Sequence, residues 1–133
     1  MFEASQAALT DADRLATDFL AELESIAAAE VGSLPSDIKT ALAAGDPGAI
    51  TIAQAATILA MDDDRLDGRA IEYELRDRIL IGMSTAVMDV ERLSTEIALD
   101  RSPKELQQRI EGREPLTLLE YAHIRCAIAA MVG

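Results

Sequence analysis

His123 and Cys126 stand three residues apart, a spacing that sets an imidazole and a thiol on one face of a helix, where they could hold a soft metal or work as base and nucleophile. A structural zinc site needs two further ligands, and the chain has a single histidine and a single cysteine. Ser-His-Asp and Cys-His schemes would both depend on His123, and no pairing of base with nucleophile is visible, so packing or surface roles are expected for the two residues. The segment Asp63-Asp-Arg-Leu-Asp67-Gly68-Arg-Ala-Ile-Glu-Tyr-Glu74 follows the EF-hand calcium loop at its first, fifth, sixth and twelfth positions. Arg65 puts a cation at the third position, where a ligand oxygen belongs, so an acidic helix boundary is the expected role. No glycine-rich phosphate loop occurs, and carboxylates scattered through helical patterns do not define an acid/base pair. The expectation is a protein that is not an enzyme and needs no metal or cofactor. What remains is the densest cluster of Arg, Lys and Gln in the chain, between Arg101 and Arg113, where four bases (Arg101, Lys104, Arg109, Arg113) meet two acids (Glu105, Glu111).

That local excess of positive charge sits in a chain of net charge −12. The acidity belongs to the first half: residues 1–48 hold nine acids and two bases, residues 49–74 six and two, and residues 75–133 nine and eight. Such a balance favours solubility and works against non-specific attachment to nucleic acid or anionic membrane. At 133 residues the chain is long enough for one core-bearing domain with an appended helix. Its apolar half is mostly Ala, Leu and Ile, with few aromatics and no Trp, the mix that helices use, so the expected class is all-α. The single cysteine and the lack of a basic start followed by a long apolar run point to the cytoplasm. The most apolar window, 79–90, is broken by Gly82, Ser84, Thr85 and Asp89, and is read as a core helix rather than a membrane span.

The elements that must position the cluster are legible from caps and periodicity. Thr10 before Asp11 and Asp13 is an N-cap signal, although that helix could begin nearer Ala4. Ala12, Ala16, Phe19, Leu23 and Ile26 then draw one apolar stripe to about Glu30, expected either to pack on the chain's own domain or to meet a dimer mate or protein partner. Gly32 and Pro35 break the pattern, Ser36 is placed to cap a short helix through about Ala44, and 45–48 is a turn. The organisation expected is an acidic helical segment over 1–48, available for dimerisation or partner contact, and a helical domain over 49–133. Within the latter, Thr51-Ile-Ala-Gln54 is a capping box opening a helix to about Met61, which Asp62-Asp-Asp64 ends, and a longer helix runs from about Arg69 to Thr85 with Ile71, Leu75, Ile79 and Gly82 on one side. Asp89 caps a short helix to about Leu99. Ser102-Pro-Lys-Glu105 is a second capping box with Pro103 at the first helical position, Gly112 stands where a left-handed C-cap belongs, and Thr117-Leu-Leu-Glu120 is a third box, with Leu116 and Tyr121 as its hydrophobic staple before a helix to about Met131.

A short helix between two tight connections is the layout of a helix-turn-helix. The words Ser102-x-x-x-Leu106-x-x-x-Ile110-x-Gly112 followed by Leu116-Thr-Leu-Leu-x-x-Ala-x-Ile124-x-x-Ala127-Ile128 resemble the end of a Cro/phage-repressor-type (Xre-type) helix-turn-helix, over residues 75–133 at most. Upstream, Ala98 is displaced toward the turn and Asp100 occupies the place of that family's turn glycine. The resemblance implies that helix 103–111 is a recognition helix. With the core positions Leu106 and Ile110 removed, Arg101, Ser102, Lys104, Gln107, Gln108, Arg109 and Arg113 are the residues it would turn to DNA. Gln can pair both major-groove edge atoms of adenine and Arg those of guanine, while Lys and flanking Arg neutralise phosphate. It further implies a transcriptional regulator acting on double-stranded DNA, probing two half-sites as a dimer. The alternative reading is a non-enzymatic adaptor that uses the same fold and the acidic N-terminal helix for protein contacts, and neither reading involves a membrane. Residues 52–61, with Ala55, Ala56, Ile58 and Leu59, also resemble the opening helix of an excisionase-like winged helix, but no strand pair follows to make the wing.

Overall fold

Three helices of this protein open on the reciprocal cap that their sequences encode. In the computed structural model, Gln54 N–H donates to Thr51 Oγ1 at 3.1 Å while Thr51 N–H donates to Gln54 Oε1 at 3.0 Å. Ser102 with Glu105, and Thr117 with Glu120, repeat the pattern. Each box satisfies backbone donors that the first helical turn leaves without partners. The structure describes the backbone of residues 2–30, 32, 34–62 and 67–132, and the side chains of 11–30, 32, 34–62 and 67–131.

Seven helices occupy the described residues: α1 (Phe2–Ala29), α2 (Ser36–Ala43), α3 (Ile52–Asp62), α4 (Gly68–Ala86), α5 (Val90–Glu96), α6 (Pro103–Ile110) and α7 (Leu118–Val132). The all-α expectation holds. Among the described residues the only strand-like pairing is an isolated antiparallel bridge between Thr51 and Thr117, so no wing follows α3. That bridge matters for architecture. Ile52 N–H donates to Leu116 C=O and Leu118 N–H to Ile50 C=O, both at 2.8 Å, which ties the starts of α3 and α7 side by side. Ile50, Ile52, Leu116 and Leu118 are all fully buried around it.

Several local expectations are corrected. Of the two starts expected for α1 the structure takes the earlier, at Phe2 near Ala4, and the helix runs straight through Thr10, because nothing from Phe2 to Asp13 is a helix breaker and the residues are mostly good helix formers. Ser36 is the first residue of α2 rather than its cap; Pro35 holds the cap position, and its carbonyl accepts from Lys39 N–H at 3.0 Å. Helix α5 stops at Glu96 instead of reaching Leu99, since Ile97 turns extended and buries its side chain. Asp63, Asp64, Arg65 and Leu66, where the calcium-loop template begins, lie outside the described residues. Asp67 serves as the N-cap of α4, its carboxylate accepting from Arg69 N–H at 3.4 Å.

The core forms in two adjoining parts. One gathers α4, α5, α6 and α7 around Ile79, Leu93, Leu106, Leu116 and Ile124. The other gathers α1, α2 and the start of α3 around Leu23, Ile38, Ile50, Ile58 and Leu118, with Phe19 and Leu59 packed against both parts. Phe19 meets Tyr121 edge to face, ring centroids 6.3 Å apart, a favoured aromatic geometry. The 1–48 segment therefore does not stand apart from the rest. Ala12, Ala16 and Leu23 of the apolar stripe are buried in the chain's own interior, and Phe19 and Ile26 are partly buried there, because α1 lies chiefly along α7. Of the two uses expected for that stripe, the structure takes the intramolecular one, and these residues are closed to a dimer mate or partner in this state. Gly82 lets α4 approach α7: a Cβ there would sit 2.9 Å from Ile128 Cγ2.

Candidate functional site

The cationic cluster falls on α6 and its flanks, and tertiary structure redistributes its charges. Ser102 caps α6 and Pro103 opens it, as read from sequence. At the other end Gly112 adopts φ +86°, Gly112 N–H donates to Arg109 C=O at 3.3 Å and Arg113 N–H to Gln108 C=O at 2.9 Å, which is a Schellman close. Leu106 and Ile110 face inward and are buried. Lys104 and Gln107 are exposed, and Gln108 is half-buried.

Arg101 and Arg109 do not extend freely to solvent. Both guanidinium groups converge on one carboxylate, that of Glu120 on the first turn of α7: Arg101 Nε donates to Oε2 at 2.7 Å, and Arg109 Nη1 pairs with the same oxygen. Glu120 is completely buried, while the two arginine side chains are 28 % and 26 % exposed. The other carboxylate oxygen, Oε1, accepts from Thr117 N–H at 2.9 Å and Thr117 Oγ1 at 3.1 Å. Burial by itself pushes the Glu120 carboxyl upward, but the Thr117 amide and the Arg101 and Arg109 guanidiniums outweigh it and hold the group below the ordinary carboxylate range. Glu120 is thus ionised, neutralised and saturated with donors. Arg101 and Arg109, expected to face DNA, are both held by this buried carboxylate.

Gln107 and Arg113 are engaged as well, whereas Lys104 stays exposed. Gln107 Nε2 donates to Glu111 Oε1 at 3.0 Å, and Arg113 pairs with Glu111 in solvent. Side-chain hydrogen bonds from Gln107, first, and Arg113 keep the Glu111 carboxyl low. Across residues 100–114 the bases Arg101, Lys104, Arg109 and Arg113 are matched one for one by Asp100, Glu105, Glu111 and Glu114, so the positive excess expected from 101–113 disappears when its neighbours are counted.

Two further residues position α6. Arg76 of α4, largely buried, donates from Nη1 to the carbonyl of Arg109 and at 3.4 Å to that of Ile110, and its Nε holds Glu72 at 3.2 Å. It thereby adds a second donor to the Arg109 carbonyl, which Gly112 N–H already meets, and supplies one to the Ile110 carbonyl. Ser94 Oγ donates to Arg101 C=O at 2.6 Å, fixing the turn between α5 and α6, whereas Ala98, the expected small turn residue, is exposed. Sequence reasoning saw Glu120 only as a capping-box residue and missed Arg76 altogether, since neither long-range partner leaves a local pattern.

Alongside α6 lies an apolar surface that the sequence reading did not single out. The outward side of α4 and the residue that ends it expose Tyr73, Leu80, Ile81 and Val87. Depressions of about 530 Å³ and 290 Å³ share Leu80, Met83 and Asp89 and together run from the end of α4 to α6. His123 is buried with Nε2 3.4 Å from Asp13 Oδ1, and the half-buried Cys126 thiol is pushed up by desolvation and by the nearby Asp11 charge. Neither belongs to a ligand cluster among the described residues.

The pattern defining DUF5791, a family of unknown function, matches residues 13–131, from within α1 to the end of α7. The chain belongs to that family. No curated protein and no solved structure matches it. For this DUF5791 chain the site therefore has to be interpreted from its own geometry. Among the described residues, no helix is long and apolar enough to cross a membrane.

Proposed function

We propose that this protein is a non-enzymatic regulator or adaptor that works by binding another protein. The observation that carries the reading is the placement of exposed apolar side chains: of the six large ones among the described residues, Tyr73, Leu80, Ile81 and Val87 lie along one helix and its end, with Leu15 and Met131 elsewhere. Clustered apolar exposure in a soluble domain marks a contact surface. The electrostatics agree, because a protein that reads duplex DNA needs a positive footprint, whereas α6 and its flanks are neutral within a chain of −12.

A second reading keeps the helix-turn-helix resemblance as its function. It is favoured by the α5–turn–α6 layout, by the Ser102 cap and Gly112 close, and by the exposure of Lys104, Gln107 and Arg113 on the outward side of α6. In that reading a dimer would present α6 to two half-sites.

The readings separate by salt and by mutation. Purified protein is challenged with random duplex DNA at low and at moderate salt, and retained DNA is sequenced for wild type and Lys104→Glu. In parallel, partners are cross-linked in native extract for wild type and for Leu80→Ser/Ile81→Ser. The expected result is no enriched DNA motif, together with a partner that survives about 0.5 M salt, where charge attraction is screened within a few ångströms, and is lost in the serine variant. An enriched, palindromic motif that Lys104→Glu abolishes would replace this reading with the second one.

A further inference from the structure

We propose that the cleft bounded by α4, the α4–α5 turn and α6 is the seat of a basic amphipathic helix contributed by a partner protein. The inference rests on the protein-contact reading and specifies its site and its partner's chemistry.

The floor and walls are apolar: Leu80, Met83, Val87, Met88, Val90 and Ile110 line the two depressions. Methionine at such a place is adaptable, since its unbranched side chain and polarisable sulfur follow the shape of an incoming group. The charged residues of the lining are Asp89 and Glu111, both acidic. Arg113 already pairs with Glu111, so Asp89 is the acid that a cationic rim on the partner would complement. A second copy of this chain, docking the same face across a two-fold axis, would instead bring its own Asp89 and Glu111 toward these acids. Helices form this cleft and no sheet edge borders it, so an extended peptide could not gain main-chain pairing here. An amphipathic helix would gain by laying apolar anchors at helical spacing along the groove.

Val87 supplies an independent argument. It ends α4 in the left-handed region, φ 52° and ψ 52°, where a β-branched side chain is disfavoured, and where glycine would adopt the same backbone without strain. Its side chain is 92 % exposed, so it gains no compensating burial in its own fold. A side chain that strains the backbone and packs on nothing within the chain has its use in a contact outside it, and Val87 stands at the lip of the cleft.

The test uses the full chain and a synthetic probe: a peptide of about five helical turns built from Leu and Lys, with Leu at i, i+3, i+4 and i+7. A control peptide has the same composition in scrambled order. Binding is followed by fluorescence polarisation at about 0.15 M salt, where long-range charge attraction is damped, and by methyl NMR of the methionines. The patterned peptide is expected to bind about ten-fold or more tightly than the scrambled one, from the apolar area it can bury. Met83 and Met88 signals should move while Met61, outside the lining, stays in place. Leu80→Ser and Val87→Gly should each weaken binding by about ten-fold. Val87→Gly should at the same time raise the urea midpoint, which removes misfolding as the cause of its loss. Equal binding of the two peptides would overturn the proposal by reducing the attraction to net charge. Patterned binding that leaves Met83 and Met88 unmoved would overturn this site while the protein-contact reading stands. Failure to bind either peptide, in protein that retains specific duplex DNA, would overturn both.

Discussion

Replacing Glu120 with glutamine should damage this protein out of proportion to the single atom changed. Glu120 accepts from Thr117 through one oxygen and from Arg101 and Arg109 through the other, with no solvent access. Glutamine can keep the Thr117 contact, but its amide NH2 then faces two guanidinium groups, donor against donor. Each charge-assisted bond lost is worth about 1.5–3 kcal/mol, and breaking a buried ion pair by removing one partner costs about 3–5 kcal/mol. The arginines are about a quarter exposed and can swing toward water, which recovers part of that loss. A net destabilisation of about 2–3 kcal/mol is the expected outcome, near the lower end of the range for buried pairs. With a urea slope of about 1–3 kcal/mol/M, the unfolding midpoint should fall by about 0.7–3 M. Pairing Glu120→Gln with Arg101→Met and Arg109→Met in a double-mutant cycle isolates the coupling, because each arginine substitution should cost much less once the carboxylate is gone. The released guanidiniums give a second readout: at low salt, Glu120→Gln should hold random duplex DNA more tightly than wild type. A midpoint unchanged within about 0.3 kcal/mol, the level at which independent sites simply add, would refute the claim that this carboxylate organises the two arginines.

Three further outcomes follow from the same geometry. Because the Glu120 carboxyl is held below its unfolded value, its contribution is fully present above about pH 4.5 and is lost as pH falls through its lower folded-state value; the wild-type advantage over Glu120→Gln in urea should therefore shrink from pH 6 to pH 3, and a constant gap would exclude the carboxylate as its source. Gly82→Ala should destabilise by about 1–3 kcal/mol in thermal or urea unfolding, since the new Cβ would meet Ile128 at 2.9 Å and force α4 from α7, and a neutral result would mean that Ile128 repacks freely. Arg76→Met should accelerate amide exchange in the last turn of α6 and in Gly112 and Arg113, with a cost of about 1–2 kcal/mol for the Ile110 carbonyl left open, while α2 is unaffected; uniform acceleration across the chain would show that Arg76 supports the whole fold rather than this helix end.

What the sequence by itself determined are the features whose cause lies within three or four residues. The capping boxes at Thr51, Ser102 and Thr117, Pro103 at the start of α6, and the left-handed Gly112 all stand where local pattern put them, because a cap is a contest between a side chain and its own first turn. The helical class followed from composition and periodicity on the same short scale, and the expectation failed locally at Ile97, where α5 ends short of Leu99. Only the tertiary structure decided which faces stay open. The stripe of Ala12, Ala16 and Leu23 looks identical in sequence whether it meets α7 of its own chain or another molecule, and the choice depends on α7 presenting a complementary apolar side far along the chain. The charges of Arg101 and Arg109 look available until α7 carries Glu120 beneath them, and the Ile110 carbonyl at the end of α6 looks unpartnered until α4 delivers Arg76. Val87 reads as an ordinary apolar residue until the end of α4 fixes its φ at 52° and leaves it in solvent. Local signals place the helices because their energies are decided within one turn. The surface is decided by pairs of residues distant in sequence, which only the packed fold brings together.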